Sequence, residues 1–156
     1  MKILIPLTLI LLFTSCGNEA PKQQLPVQEA LIGSWSSISI NVVINDFDSL
    51  GEKETYSVDT TNWLKELGIK PIETFFDADS TYVSYYKNGN DSLVLELKGR
   101  WGVANDTLFM LPLQNTTPSY YATEVKGNLA HFKTHLDWDG DGEADDFYYG
   151  VQVKKD

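Results

Sequence analysis

What most constrains this chain is the region after Pro71, where short segments of period-two alternation are separated by turns that leave room only for direct reversal. These segments are residues 72–76, 81–87, 92–103, 107–113, 119–125, 129–136 and 147–153. In the third, Leu93, Leu95 and Leu97 take one face while Ser92, Glu96 and Lys98 take the other. The breaks carry turn chemistry. Asn88-Gly89 tolerates positive φ at both central positions of a hairpin, and Asn105-Asp106, Thr116-Thr117-Pro118 and Gly127-Asn128 punctuate the later segments. Strands joined by such short turns lie antiparallel to their chain neighbours.

An eighth strand is predicted upstream over residues 34–45, where Ile38, Ile40, Val42 and Ile44 alternate with Ser39, Asn41 and Val43. Residues 46–57 read as a loop, with a short edge strand near 55–58. One short helix follows. Asp59, Thr60 or Thr61 offers its cap, Trp63, Leu64 and Leu67 share a face, and Gly68 and Pro71 end it. Eight antiparallel strands predict an all-β fold, an eight-stranded up-and-down barrel that leaves no edge exposed, with a β-sandwich as the alternative. No fixed-period repeat is present, which argues against a propeller or solenoid.

At 156 residues and 42% apolar composition the chain is sized for one domain burying about two-thirds of its unfolded surface. The formal net charge is -10, from 22 acidic and 12 basic residues. Such a field repels phosphate backbones and gathers cations. Arg100 is the single arginine, and no basic cluster stands beside an aromatic platform, so nucleic acid is not expected as a partner.

The densest chemistry lies between Leu136 and Phe147, where Asp137, Asp139, Asp141, Glu143, Asp145 and Asp146 crowd into a predicted hairpin loop. Carboxylates at alternate positions followed by Gly142 have the spacing of a calcium loop, because a hard cation takes six to eight oxygens and the chain must curl to supply them. Asp137, Asp139 and Asp141 are the expected side-chain ligands, Glu143 offers a backbone carbonyl, and Asp145 and Asp146 complete the set. Tyr148 stands where an EF-hand places its bidentate Glu, and the flanks are strands. The stretch resembles instead the Asp-x-Asp-x-Asp-Gly-x-x-Asp loops inserted in extracellular β-proteins, which implies a structural Ca2+ rather than a sensor. The bland alternative is a solvated acidic turn.

At the N-terminus, Lys2 precedes an apolar run from Ile3 to Phe13 that is shorter than the about 20 residues a membrane helix needs. It resembles a secretory signal over residues 1–15. Phe13-Thr14-Ser15-Cys16 resembles a bacterial lipobox, which implies lipid attachment at Cys16, the one cysteine of the chain. Residues 16–30, polar and holding Pro21 and Pro26, read as a tether, with the folded domain at 31–156. An exported protein of the bacterial envelope is implied, an outer-membrane lipoprotein on its periplasmic or surface face.

Gly33-Ser34-Trp35 at the head of the first strand resembles the Gly-x-Trp motif of lipocalins, especially the short lipocalin-like domains of bacterial lipoproteins. That resemblance implies a binding module in which Trp35 closes one end of the barrel. Its open partners are a small hydrophobic molecule or sugar in the barrel and an envelope protein outside it. The chain departs from the pattern in two ways. No helix and further strand are expected after the strand over 147–153, and the sole arginine, Arg100, lies in mid-chain rather than late against the Trp. A solid barrel serving as a structural or interaction subunit is the alternative.

No nucleophile elbow, phosphate loop or Cys/His dyad is present, so no enzyme is expected. His131 and His135 share a strand face with Lys133 at a spacing that suits surface residues better than zinc ligands. Trp63, Tyr82, Tyr85, Tyr86, Tyr120, Tyr121, Tyr148 and Tyr149 are candidates to line a sugar or lipid site, although tyrosine-rich strands commonly serve core and surface.

Overall fold

The computed structural model describes residues 26–45 and 53–156. The expected signal segment, Cys16, the first part of the tether and part of the 46–57 loop lie outside these residues. The elements are α1 (Val27–Leu31), β1 (Gly33–Ile44), β2 (Glu54–Asp59), α2 (Trp63–Leu67), β3 (Glu73–Phe76), β4 (Thr81–Lys87), β5 (Leu93–Ala104), β6 (Thr107–Pro112), β7 (Ser119–Lys126), β8 (Leu129–Leu136) and β9 (Asp146–Lys154).

From β3 onward each strand pairs antiparallel with the next, and β9 returns to β1 with Trp35 opposite Lys154 and Val43 opposite Phe147. The sheet closes. Eight strands, β1 and β3 to β9, form the barrel, as their alternation predicts. The ninth, β2, shares one edge of β1 with β3: Gly33 to Ser36 pair with β3, while Ser39 to Ile44 pair with β2. The edge strand expected near 55–58 is therefore an extension of the barrel wall.

A register shift lets one long strand serve both ends of the core. Between Ser37 and Ser39 the β1–β9 pairing is irregular. Side chains alternate strictly along a regular strand, so one extra residue reverses which parity faces inward. Trp35 and Ser37 are buried before the shift, and Ile40, Val42 and Ile44 after it. Ile38, expected to share the inward face of Ile40, sits at the irregularity and is only partly buried.

Two apolar clusters result. One gathers Leu31, Trp35, Phe76, Trp101, Leu108 and Phe132. The other gathers Ile40, Val42, Ile44, Val58 and Trp63, with Trp138 and Tyr148 packed against it. β2 and α2 thus cover the far half of β1, and the acidic loop contributes Trp138, whose ring lies 5.4 Å from that of Tyr56.

The first cluster is closed by α1, which corrects the expected tether. The expected tether over 16–30 takes in residues 27–30 because so short a stretch shows no helical period, and a helix of five residues is unstable alone. Tertiary contacts hold it. Leu31 is fully buried, its carbonyl accepts from Trp35 Nε1 at 2.6 Å, Gln28 Oε1 accepts from Val103 N at 2.6 Å, and Lys154 Nζ donates to Ala30 O at 3.0 Å. Lys154 also stands 5.4 Å over the Trp35 ring. A cation from the last strand therefore meets the Gly-x-Trp tryptophan, and Arg100 stays exposed on β5.

Candidate functional site

The acidic loop joins β8 to β9 at the end of the barrel opposite α1. Asp146 organises it from below. The side chain is 1% exposed, Oδ1 accepts from Asn45 N at 2.9 Å, and Oδ2 accepts from Trp138 N at 2.7 Å and Asp139 N at 3.3 Å. Burial pushes this carboxyl's pKa up, but the three amides outweigh it and hold the group below the ordinary aspartate range. Asn45 also donates from Nδ2 to Asp145 O at 2.7 Å, tying the end of β1 to the loop.

The remaining carboxylates fold the loop on itself. Asp137 accepts from Gly140 N at 2.7 Å and Gly142 N at 3.1 Å, Asp139 from Asp141 N at 3.1 Å, and Asp141 from Glu143 N at 2.7 Å. Gly140 and Gly142 take φ of 81° and 98°, a region where a Cβ is strained, which is the turn expected at Gly142.

Of the six expected ligands, Asp137, Asp139 and Asp146 come together, with one oxygen from each lying within 4.8 Å of the others. Asp141 and Glu143 stand exposed at the rim, and the Asp145 carbonyl is occupied by Asn45. The grouping differs from the linear spacing because Asp146 lies at the first position of β9 and turns inward beneath the loop. The donors are all oxygen, which suits a hard cation such as Ca2+.

A second feature lies along the barrel axis. A cavity of about 190 Å³ is lined by side chains from all eight barrel strands, from Ser37 on β1 to Tyr148 and Gln152 on β9. Its floor is apolar, with Phe76, Leu97, Leu108 and Phe132. Its walls are not. Tyr82, Tyr86, Tyr121 and Tyr148 enter from three strands, and Thr74 and Ser84 hydrogen-bond each other at 2.9 Å. Burial raises the pKa of all four phenols, so they are protonated at neutral pH. Exposed Ser119 marks an opening at the acidic-loop end.

Period-two reading locates half of these groups once Phe76 and Phe132 are known to point inward. Tyr82, Ser84 and Tyr86 then share the inner face of β4. Ser37 and Gln152 carry no sequence signal of this role, because a lone polar residue in a strand gives no sign of which face it takes. Of the other aromatic candidates, Trp63 belongs to the second apolar cluster and Tyr120 is 58% exposed. Tyr149 packs outside, where its hydroxyl meets His131 Nδ1 at 2.8 Å and Lys133 lies over its ring. His135 is exposed, in keeping with surface histidines.

Fold and cavity together define an antiparallel β-barrel closed at one end by a short helix and hollow toward the other. In comparison with known proteins, the sequence matches no family model and no curated protein.

Proposed function

We propose that this chain is a lipocalin-like binding module of the bacterial cell envelope, anchored through lipid on Cys16, whose barrel takes a small ligand and whose acidic loop is ordered by Ca2+. The observation that carries the reading is the axial cavity of about 190 Å³. A barrel of eight strands is just wide enough to be filled by its side chains or to hold one small molecule, so a retained cavity favours the carrier. The Gly33-Ser34-Trp35 turn packed beneath Lys154 supports the lipocalin-like part of the reading.

In the loop, Asp137, Asp139 and Asp146 would hold the ion, while backbone carbonyls or water complete its shell. The ion would supply charge neutralisation and a fixed loop conformation, a structural role. Three carboxylates brought this close repel one another, which is the physical reason to expect a cation there. Calcium titration calorimetry on the full chain should give a dissociation constant on the order of 0.1 to 1 mM. With Asp137→Asn plus Asp139→Asn that heat should vanish; equal heats for both proteins would overturn the ion.

Native mass spectrometry of protein released from its own membrane tests the whole reading. The expected spectrum shows a Cys16 acyl mass, a calcium adduct and one small molecule per chain. A second reading, an interaction subunit of an envelope complex, draws on the consecutive exposed Leu93, Val94 and Leu95, which are 54%, 60% and 46% accessible. A co-released protein with no small molecule would favour it.

A further inference from the structure

We infer that the barrel cavity takes one uncharged ring compound bearing one or two hydroxyl groups, its ring on the apolar floor and its hydroxyls against the tyrosine wall. This deepens the binding-module reading and rests on it.

Size comes first. A protein cavity of roughly 150 Å³ holds a single benzene. A volume of about 190 Å³ therefore matches one ring with one or two small substituents lying wholly within the barrel.

Charge comes next. The lining contains no Asp, Glu, Lys, Arg or His. A carboxylate or ammonium in this space would lose its hydration without gaining a counter-charge, which costs several kcal/mol and excludes ionised ligands.

The polar wall decides the rest. Tyr82, Tyr86, Tyr121 and Tyr148 line the cavity together with Ser37 and Gln152. Gln152 donates from Nε2 only over 3.4 Å to Ser37 Oγ, and its buried Oε1 has no partner. Native interiors rarely leave a buried acceptor such as Gln152 Oε1 without a partner. Tyr121 and Tyr148 stand with ring centroids 6.4 Å apart at 66°, and both line the cavity. The floor of Phe76, Leu97, Leu108 and Phe132 offers only apolar contact. A monosaccharide would press several hydroxyls against that floor without partners, whereas a phenol-like ring divides its surface as the cavity does.

Calorimetry on the full chain with resorcinol, toluene, benzoate and glucose tests this, using wild type, Tyr148→Phe and Tyr86→Phe, with each variant's fold checked by its unfolding transition. Resorcinol should bind at least tenfold more tightly than toluene, and benzoate and glucose more weakly still. Each Tyr→Phe change should weaken resorcinol about tenfold and leave toluene unchanged; the two variants act on different strands, so one misfolded variant leaves the other decisive. Equal binding of resorcinol and toluene, unaffected by either variant, would overturn the inference and leave a plain apolar carrier. Tighter glucose or benzoate binding would overturn it as well. If no probe binds although a small molecule is released from the native protein, the ligand chemistry is wrong; if none is released either, the binding-module reading falls with it.

Discussion

Gly33 shows at single-residue scale why the Gly-x-Trp head of β1 takes the form it does. Its φ is 120°, outside the range L side chains adopt comfortably, and an added Cβ would meet Lys154 Cε at 3.3 Å. That lysine is the one that covers Trp35 and ties down Ala30. Glycine thus serves two needs at once, an unusual backbone angle and room for the cation. Gly33→Ala should lower stability by about 1 to 3 kcal/mol in denaturant unfolding, since strain and displacement of Lys154 act together. A stability within error of wild type would show that the turn relaxes freely.

Among the elements, α1 has the largest effect for its length. A five-residue segment with no side-chain cap has little intrinsic stability, and it is helical because Leu31 fills the end of the barrel. Leu31→Ala would leave a void against Trp35 and should cost about 2 to 5 kcal/mol. The measurable signature is local as well as global: amide exchange at Ala30, bonded to Pro26 O within α1, and at Val103, bonded to Gln28 across the contact, should accelerate more than exchange in β8. Uniform acceleration would mean that α1 does not form a separate closure. The acidic loop is the matching element at the other end, bound to β1 through Asn45 and to β2 through Trp138 on Tyr56.

For the molecule as a whole, the hollow barrel makes an alkaline prediction. Desolvation raises the pKa of Tyr82, Tyr86, Tyr121 and Tyr148 above the ordinary 10.0. A raised folded pKa means the neutral phenol is favoured in the fold, so the stability it contributes is complete below the unfolded value of about 10 and declines as pH rises beyond it. Phenolate absorbance should therefore appear near pH 10 only for part of the tyrosine complement, with the four cavity phenols ionising later, in step with alkaline unfolding. A single transition of full amplitude near the ordinary value would mean that the cavity is open to bulk water.

Much of this architecture was legible in the chain itself, for a local reason: alternation and turn chemistry act between residues close in sequence. They placed all eight barrel strands, the edge strand, α2 and the glycine-bearing acidic turn. What they could not place depends on chain closure. Whether Trp35 would meet a late cation was decided by the β1–β9 pairing that sets Lys154 opposite it, a contact 119 residues apart in the chain. The helix at 27–31 exists because a barrel end needed filling. Asp137, Asp139 and Asp146 are all among the expected ligands, but that these three rather than Asp141 or Asp145 come together depends on the inward turn of β9 and the bond from Asn45, about a hundred residues upstream. The cavity likewise belongs to no segment, because its walls come from eight strands and only the circumference of the closed sheet determines whether space remains between them. Local periodicity thus determined the strands and their faces, and tertiary closure decided what those faces enclose.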